Sequence, residues 1–230
     1  MQTIEIAEVG EVEMKKSTKA KRIIISIRPD GRARVTIPTH IPYVVAKQYV
    51  LKNKAWLIEH TKNQTNLVLK QNQRIGRDHI LLFKPGPKIS SRVGRTEITV
   101  TAPSETKISD PILQKEAIKA ATRAIRRQAE LYLPSKLYAL AKHYGYNFKE
   151  VRCKALKTRW GSCSSEGVIN LNIWLMQLSD DLVEYVLVHE LVHLNHPNHQ
   201  AGFWSELEQI IPNYKQLRRI LKTHSPYLTS

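Results

Sequence analysis

Two histidines four residues apart, with a glutamate directly after the first, are the residues of this sequence best suited to chemistry. They form the run His-Glu-Leu-Val-His at residues 189–193. Residues four apart lie on one face of a helix, so His189 and His193 can bind one metal ion. Glu190 can then act as general base on a water bound to that ion, which is how zinc peptidases hydrolyse peptide bonds. The sequence therefore predicts His189 and His193 as zinc ligands and Glu190 as the catalytic residue.

The residues around this motif favour a buried site. Apart from the polar residues of the motif, the segment 182–194 is largely apolar. Its apolar residues are Leu182, Val183, Val186, Leu187, Val188, Leu191, Val192 and Leu194. A helix that is apolar on all sides is buried, and an unpaired carboxylate inside it costs several kcal/mol. A divalent cation with a bound water would satisfy all three polar side chains. The alternative is a hydrogen-bonded pair of core histidines beside a surface glutamate.

A tetrahedral zinc site needs a third protein ligand and an open position for water. Four downstream side chains could supply that ligand: His196, His199, Glu206 and Glu208. His196 would lie about 10 Å from His189 if the helix continued, and Pro197 predicts that the helix ends near it. His199 follows the first histidine by ten residues, the interval found in metzincins, and the chain can fold back there. We predict His199 as the third ligand.

The elements that must position these side chains predict an α+β fold. The N-terminal third is rich in strand patterns, with a Pro29-Asp30-Gly31 turn and one helix over Tyr43–His60, and residues 61–104 are short strands and turns. A long helix begins at Asp110-Pro111 and ends at Gly145, with a kink or break at Pro134. Three further helices are predicted over Asp180–Asn195, His199–Ile210 and Asn213–Thr223. In the helix over Tyr43–His60 the candidate buried positions are Val44, Tyr49, Val50, Trp56 and Leu57.

This layout predicts two regions. Residues 1–104 form a basic, β-rich N-terminal region with one helix, and residues 105–230 form a zincin-like metallopeptidase domain. No internal repeat is evident in the sequence. The segment 149–175 is predicted as extended, with the run Trp160-Gly161-Ser162-Cys163-Ser164 at its centre.

Composition excludes several classes of protein. No apolar run approaches the roughly 20 residues of a membrane span, and Met1–Gly10 has no features of a secretory signal. Two cysteines, Cys153 and Cys163, are too few for a disulfide scaffold, and they favour a reducing cytoplasm. The chain holds 36 Lys and Arg against 20 Asp and Glu, a net charge of +16. Residues 1–150 carry 28 and 13 of these, a balance of +15, so that part is a candidate for nucleic-acid contact or simply for a solvated basic surface.

The motifs resemble those of the YgjP-like zinc metallopeptidases. The resemblance lies in the runs 158–164, 171–175 and 185–193, in Asn198-His199 and Phe203-Trp204, and at the front in Lys21-Arg22, Asp30-Gly31 and Trp56. It covers about residues 20–222. The back half is also similar to WLM and SprT-like proteases, which are associated with cleavage of proteins crosslinked to DNA. The resemblance implies His189, His193 and His199 as zinc ligands and Glu190 as the catalytic residue.

Residues around the motif carry further predictions. The run Trp160–Ser164 either shapes the rim of the cleft, with the strand Gly167–Leu171 pairing with extended substrate, or is a tight hairpin packed by Trp160. Asn172 caps a turn, and Phe203 with Trp204 packs the segment that carries His199. The two cysteines are inert thiols. Candidates for stabilising an oxyanion are Tyr214, Arg159 and His224.

Four functions remain open at this stage. The leading one is a cytoplasmic zinc endopeptidase that acts on protein or peptide substrates. The others are a protease associated with nucleic acid, a metal-binding module without turnover, and an esterase or amidase that uses the same zinc chemistry.

Overall fold

The computed structural model describes residues 2–27, 33–58 and 68–226. The chain divides into two compact units, Met1–Leu67 and Val68–Ser230. The boundary predicted between residues 104 and 105 lies inside the second unit. It stays a prediction, because compact packing does not test where a peptidase domain begins. Within the described residues, no helix is both long enough and apolar enough to cross a membrane.

The first unit is a four-stranded sheet with a helix against it. Its strands are β1 (Gln2–Ile6), β2 (Gly10–Ser17), β3 (Ile24–Ile27) and β4 (Ala33–Pro38), in the order β1-β2-β4-β3. Helix α1 spans Tyr43–Lys52, and residues 54–58 are helical again after a turn at Asn53. Residues 59 and 60 of the predicted helix lie outside the described residues.

The buried face of α1 differs in part from the predicted one. Val50 and Leu57 are buried as expected, but Val44 is 68% exposed, and Tyr49 and Trp56 are also exposed. Ala46 is buried instead, so the inward face follows the spacing 46, 50, 57, one side of a helix. The size of a side chain therefore did not predict its burial in this helix, because the small Ala46 lets the helix lie close to the sheet.

The second unit begins with a sheet of the same connectivity. Its strands are β5 (Gln73–Ile75), β6 (His79–Pro85), β7 (Ser90–Val93) and β8 (Glu97–Ala102), in the order β5-β6-β8-β7. In both sheets the first two strands are antiparallel, the second and fourth are parallel, and the third and fourth are antiparallel. A helix follows each sheet. The two sheets therefore share a connectivity that no repeat in the sequence indicates, because different residues can form the same pairing pattern.

Helix α2 (Pro111–Tyr144) is the long element of the second unit. Asp110 caps it by accepting hydrogen bonds from the backbone N–H groups of residues 112 and 113, and Gly145 ends it at φ 76°, a left-handed conformation that glycine adopts freely. The helix continues through Pro134, so the predicted break does not occur. Buried alanines along α2 allow neighbouring elements to pack closely.

A three-stranded sheet and three helices complete the second unit. The strands β9 (Glu150–Lys154), β10 (Gly161–Cys163) and β11 (Val168–Asn172) have the order β10-β11-β9. A 3-10 helix over Ile173–Gln177 follows, then α3 (Asp180–Val192), α4 (Ala201–Ile210) and α5 (Tyr214–Leu221). The mixed sheets and packed helices confirm the predicted α+β class. Helix α3 ends three residues before the predicted Asn195.

Candidate metal centre

Helix α3 carries the motif, and its first turn is anchored. Asp180, a favourable charge at a helix N-terminus, accepts a hydrogen bond from Tyr132 Oη at 3.0 Å and pairs with Arg77 at 2.6 Å. The hydrogen bond from Arg77 is the main reason that the pKa of Asp180 is lowered. Nine residues of α3 are buried, Glu190 among them. The helix is therefore held rigidly enough to fix the side chains on its last turns.

The three predicted histidines converge. One ring nitrogen from each of His189, His193 and His199 lies within 4.8 Å of the others, and Nε2 of His189 is 3.0 Å from Nε2 of His199. The Nδ1 of His193 lies 3.0 Å from the carbonyl oxygen of His196, which leaves its Nε2 free to face the cluster. Helix α3 supplies the ring of His189, its C-cap residue supplies that of His193, and the turn that follows brings back that of His199.

Phe203 forms the floor beneath the cluster. Its ring centroid lies 4.9 Å from that of His189, 4.7 Å from His193 and 4.6 Å from His199, and its side chain is fully buried. Trp204 Nε1 donates a hydrogen bond of 3.0 Å to the carbonyl oxygen of His199. The expectation that Phe203 and Trp204 pack the segment carrying His199 is confirmed.

The electrostatics favour neutral imidazoles, which are the form that binds metals. Burial, followed by the neighbouring His193 and His199, lowers the pKa of His189 to about 3. Burial also lowers the pKa of His199, with His193 as the next cause. Among the described residues, buried His189 Nδ1 and Glu190 Oε2 have no hydrogen-bond partner. Three convergent nitrogens and an unpartnered carboxylate oxygen fit a divalent cation with a bound water.

Glu190 follows His189 directly in the chain, and its side chain is buried. It is 5% exposed, and burial raises its pKa to about 8, an effect that the positive charge of Arg159 partly offsets. A carboxylate with a raised pKa near neutrality can both accept and return a proton. Because the cluster is half-buried at His189 and His193 but exposed at His199, its open side faces solvent.

Gly161 on β10 allows the carboxylate of Glu190 to lie where it does. A Cβ at this position would be 2.5 Å from Glu190 Oε1 and 2.8 Å from its Cδ, well inside van der Waals contact. Glycine within a strand often marks such a close approach, and this is the signal by which the sequence indicated the contact. Gly161 was not among the predicted site residues.

We expect Gly161→Ala to displace the carboxylate and to lower kcat/KM for peptide hydrolysis by about 100-fold, because a 1 Å misplacement of a catalytic group has effects of this size. Metal content should stay at the wild-type value, since the three histidines are not touched. Gly94→Ala in the turn before β8 is the matched control. Full activity of the Gly161 variant would contradict the contact.

The other candidates for the third ligand are engaged elsewhere. Glu206 accepts hydrogen bonds from Tyr146 Oη at 2.5 Å and Asn195 Nδ2 at 2.9 Å, and its Oε2 lies 2.7 Å from His196 Nε2. Glu208 pairs with Lys215 at 2.9 Å. These contacts hold the turn after α3 and therefore the His196 carbonyl that orients His193. No local sequence pattern indicates this role of Tyr146 and Glu206, because their hydrogen bond joins residues 60 apart in sequence.

We expect Glu206→Ala to weaken metal affinity by about 10–100-fold, the usual effect of removing a group that orients a ligand. The measurement is competition for zinc with a chromophoric chelator. Glu208→Ala, on the same helix, is the matched control and should leave the affinity unchanged. Equal dissociation constants for the two variants would contradict an orienting role for Glu206.

Strand β10, and not β11, lies at an edge of the three-stranded sheet. The strand predicted to pair with substrate, Gly167–Leu171, is largely β11, and β11 already has β10 on one side and β9 on the other. That expectation is therefore wrong, because both edges of β11 are used. In the described sheet β10 pairs with β11 alone. The run Trp160–Ser164 contains β10, which forms a hairpin with β11. Its residue Gly161 lies against Glu190.

The remaining predictions have mixed outcomes. Asn172 is fully buried and caps the 3-10 helix by accepting from Trp174 N, as predicted. Cys153 and Cys163 are free, and burial raises the pKa of each thiol to about 11, so both are inert thiols at neutral pH. Tyr214 stacks on Trp204, with ring centroids 5.4 Å apart, and is fixed by that contact.

A buried glutamate beside three converging imidazoles, on a helix and the turn that follows it, is an arrangement typical of metallopeptidases. The chain belongs to the YgjP-like family: the YgjP-like metallopeptidase domain matches residues 21–224. The resemblance noted in the sequence is thereby confirmed, and the protein is a metallopeptidase. No protein with a curated function is significantly similar to the chain.

Two solved structures are similar over part of the chain. The metallopeptidase zymogen abylysin of Pyrococcus abyssi is 28% identical, with a TM-score of 0.36 over 40% of this chain and 93% of that one. The metallopeptidase zymogen jannalysin of Methanocaldococcus jannaschii is 19% identical, with a TM-score of 0.35 over 40% of this chain and 95% of that one.

Proposed function

We propose that the protein is a zinc-dependent endopeptidase in which His189, His193 and His199 hold the metal. The observation that carries the proposal is the approach of the three ring nitrogens to within 4.8 Å, with the buried Glu190 directly after His189 in the chain. Imidazole ligands favour zinc among the common divalent ions, and three of them leave a position open for water. The metallopeptidase family itself implies a metal.

Glu190 performs the proton transfers in this mechanism. When bound, zinc supplies Lewis acidity, which lowers the pKa of water and polarises the peptide carbonyl. Glu190 accepts a proton from the attacking water and returns it to the leaving amine. Its raised pKa suits both steps, and Gly161 leaves the space in which the carboxylate lies. The floor of Phe203 excludes water from below.

An extended polypeptide fits the edge of β10. Backbone pairing with an edge strand holds a substrate through its main chain, whatever its side chains, and lets it continue in both directions. This is why we propose cleavage within a chain and not removal of a terminal residue. All four site residues lie after residue 105, so we keep 105–230 as the proposed peptidase domain and 1–104 as a basic front region.

A protease associated with nucleic acid is the second candidate. Lys19, Lys21 and Arg22 are exposed, and their side chains form no ion pair with any residue in the described ranges. Lys16, in contrast, is used within the fold, where its Nζ donates to the carbonyl oxygens of Thr39 and Ile41. Retention on DNA that weakens with salt would favour this candidate.

Two further alternatives use the same site differently. A metal-binding module without turnover would not need the buried Glu190, and an esterase or amidase would use the same zinc chemistry on another bond. We propose the cytoplasm as the compartment, since the free thiols of Cys153 and Cys163 suit a reducing environment.

The proposal is tested by metal analysis and reconstitution. We expect purified protein to hold about one zinc per chain and to cleave a casein-derived peptide mixture, as read by mass spectrometry of the products. Dialysis against a chelator should abolish cleavage, and stoichiometric zinc should restore it. Cleavage that survives complete removal of the metal would reject the mechanism, whereas a zinc-loaded chain that cleaves ester substrates but no peptide would favour the esterase.

A further inference from the structure

The positively charged side chain of Arg218, on α5, lies against the ring of Trp204, which is next to the histidine cluster. Its Cζ is 4.6 Å from the centroid of the Trp204 ring. That ring lies 5.4 Å from the His199 ring and 6.4 Å from the His189 ring. Trp204 is itself fixed by its hydrogen bond to the carbonyl of His199 and by stacking on Tyr214. The position of the guanidinium relative to the cluster is therefore set by packing.

The guanidinium has no anionic partner in the described part of the chain. Arg218 is exposed and forms neither an ion pair nor a side-chain hydrogen bond with any residue in 2–27, 33–58 or 68–226. Lys215, three residues earlier on the same helix, is paired with Glu208.

The chemistry of this pair selects an oxygen anion. An aromatic ring attracts a guanidinium through its face, which leaves N–H donors available for another group. Those donors form a planar fork that matches the two oxygens of a carboxylate. A divalent ion held by the histidines would repel the unpaired guanidinium of Arg218. An anionic group placed between the two positive charges would offset that repulsion.

We propose that Arg218, held on Trp204, is a specificity-determining residue that binds a carboxylate of the substrate close to the scissile bond. The inference rests on the proposed peptidase function of the same centre. The carboxylate is that of an acidic side chain, which fits cleavage within a chain, or that of the substrate's C-terminus, which would make the protein a carboxypeptidase instead. The sequence offered no signal for this role, because Arg218 comes near the histidines through the packing of α5 on α3 and its contact with Trp204 of α4.

The test compares matched peptides with zinc-loaded, full-length protein. Cleavage sites are first profiled by mass spectrometry on a proteome-derived peptide library. Synthetic peptides then carry Glu or Gln at the enriched position, each with a free or an amidated C-terminus. We expect wild type to prefer a carboxylate peptide by about 10-fold or more in kcat/KM, the range of a charge-assisted hydrogen bond. The preferred partner, Glu or free C-terminus, identifies the source of the carboxylate.

Arg218→Gln should reduce that preference to about 2-fold or less and leave zinc content unchanged. Arg218→Lys keeps the charge but loses the fork, so it should retain an intermediate preference. Arg219→Gln removes the same charge from the next residue of α5 and is the matched control. Equal loss of preference in the Arg218→Gln and Arg219→Gln variants would mean a general charge effect and would overturn the assignment.

Binding measurements separate this inference from the peptidase proposal. If wild type cleaves no peptide, the proposed function fails, but Arg218 can still be tested by fluorescence anisotropy with labelled Glu and Gln peptides on zinc-loaded Glu190→Gln protein. Tighter binding of the Glu peptide that is lost on adding Arg218→Gln supports the assignment. Equal binding of both peptides with Arg218 intact rejects it.

Discussion

Glu190→Gln is expected to lower kcat for peptide hydrolysis by about 100- to 10,000-fold while zinc stays bound, because general-base catalysis contributes a factor of this size. The amide preserves the shape of the side chain, so Gly161 and the three histidines keep their neighbours. Zinc content and steady-state kinetics are measured on the same preparations. Loss of zinc together with activity would show that Glu190 serves the metal and not the proton transfer.

The same variant reports on the buried carboxyl group through the stability of the metal-free chain. The pKa of Glu190 is raised from 4.5 to about 8, so the folded state binds more protons than the unfolded state between these values. Its contribution to stability is therefore lost as pH rises through that window. We expect metal-free Glu190→Gln to gain stability over wild type above pH 8, by up to about 5 kcal/mol, with little difference near pH 4.5. Denaturant unfolding at the two pH values measures this.

The variant is compared with wild type at each pH because the titration of His189 changes the folding stability with pH in the opposite direction. Its pKa is lowered to about 3, so below pH 6.5 the unfolded chain binds more protons and wild type becomes less stable as pH falls. That term is common to both proteins and cancels in the difference. A difference that does not change with pH would contradict burial of the Glu190 carboxyl.

The sequence predicted the parts of this site that depend on short-range spacing. Helical periodicity places His189 and His193 on one face, and Pro197 predicts that the helix has ended before it, so that His199 can return. The sequence also predicted the helix caps at Asp110 and Gly145, because caps depend on local backbone groups. Each of these features is set within about ten residues of chain.

The parts that the sequence did not reveal depend on packing between distant segments. Tyr146 meets Glu206 across 60 residues, and Gly161 meets Glu190 through the approach of a sheet to a helix. Strand order is of the same kind: β11 reads as a strand, but only the topology shows that both its edges are paired. The sequence did not indicate that the two four-stranded sheets share a connectivity, because they have the same strand pairing but not the same residues.

Losing the imidazole of His199 is expected to weaken zinc affinity by more than about 100-fold, beyond the effect of removing a group that only orients a ligand. His199→Ala leaves His189 and His193 with two ligand nitrogens, too few for a stable tetrahedral site. The His199 side of the cluster is exposed, so the truncation opens no cavity in the core. Phe203, fully buried, keeps the floor in place.

The measurement is competition for zinc with a chromophoric chelator at pH 7.5, together with far-UV circular dichroism to verify the fold. His224→Ala is the first control, because His224 lies at the end of α5 and contacts Ile220 and Thr223. His196→Ala is the second and more demanding one: it removes a rival imidazole but keeps the backbone carbonyl that faces His193 Nδ1. Since the ring of His196 holds Glu206, we expect a modest loss of affinity there. A larger loss in His196→Ala than in His199→Ala would move the third ligand to His196 and contradict the assignment made from the geometry.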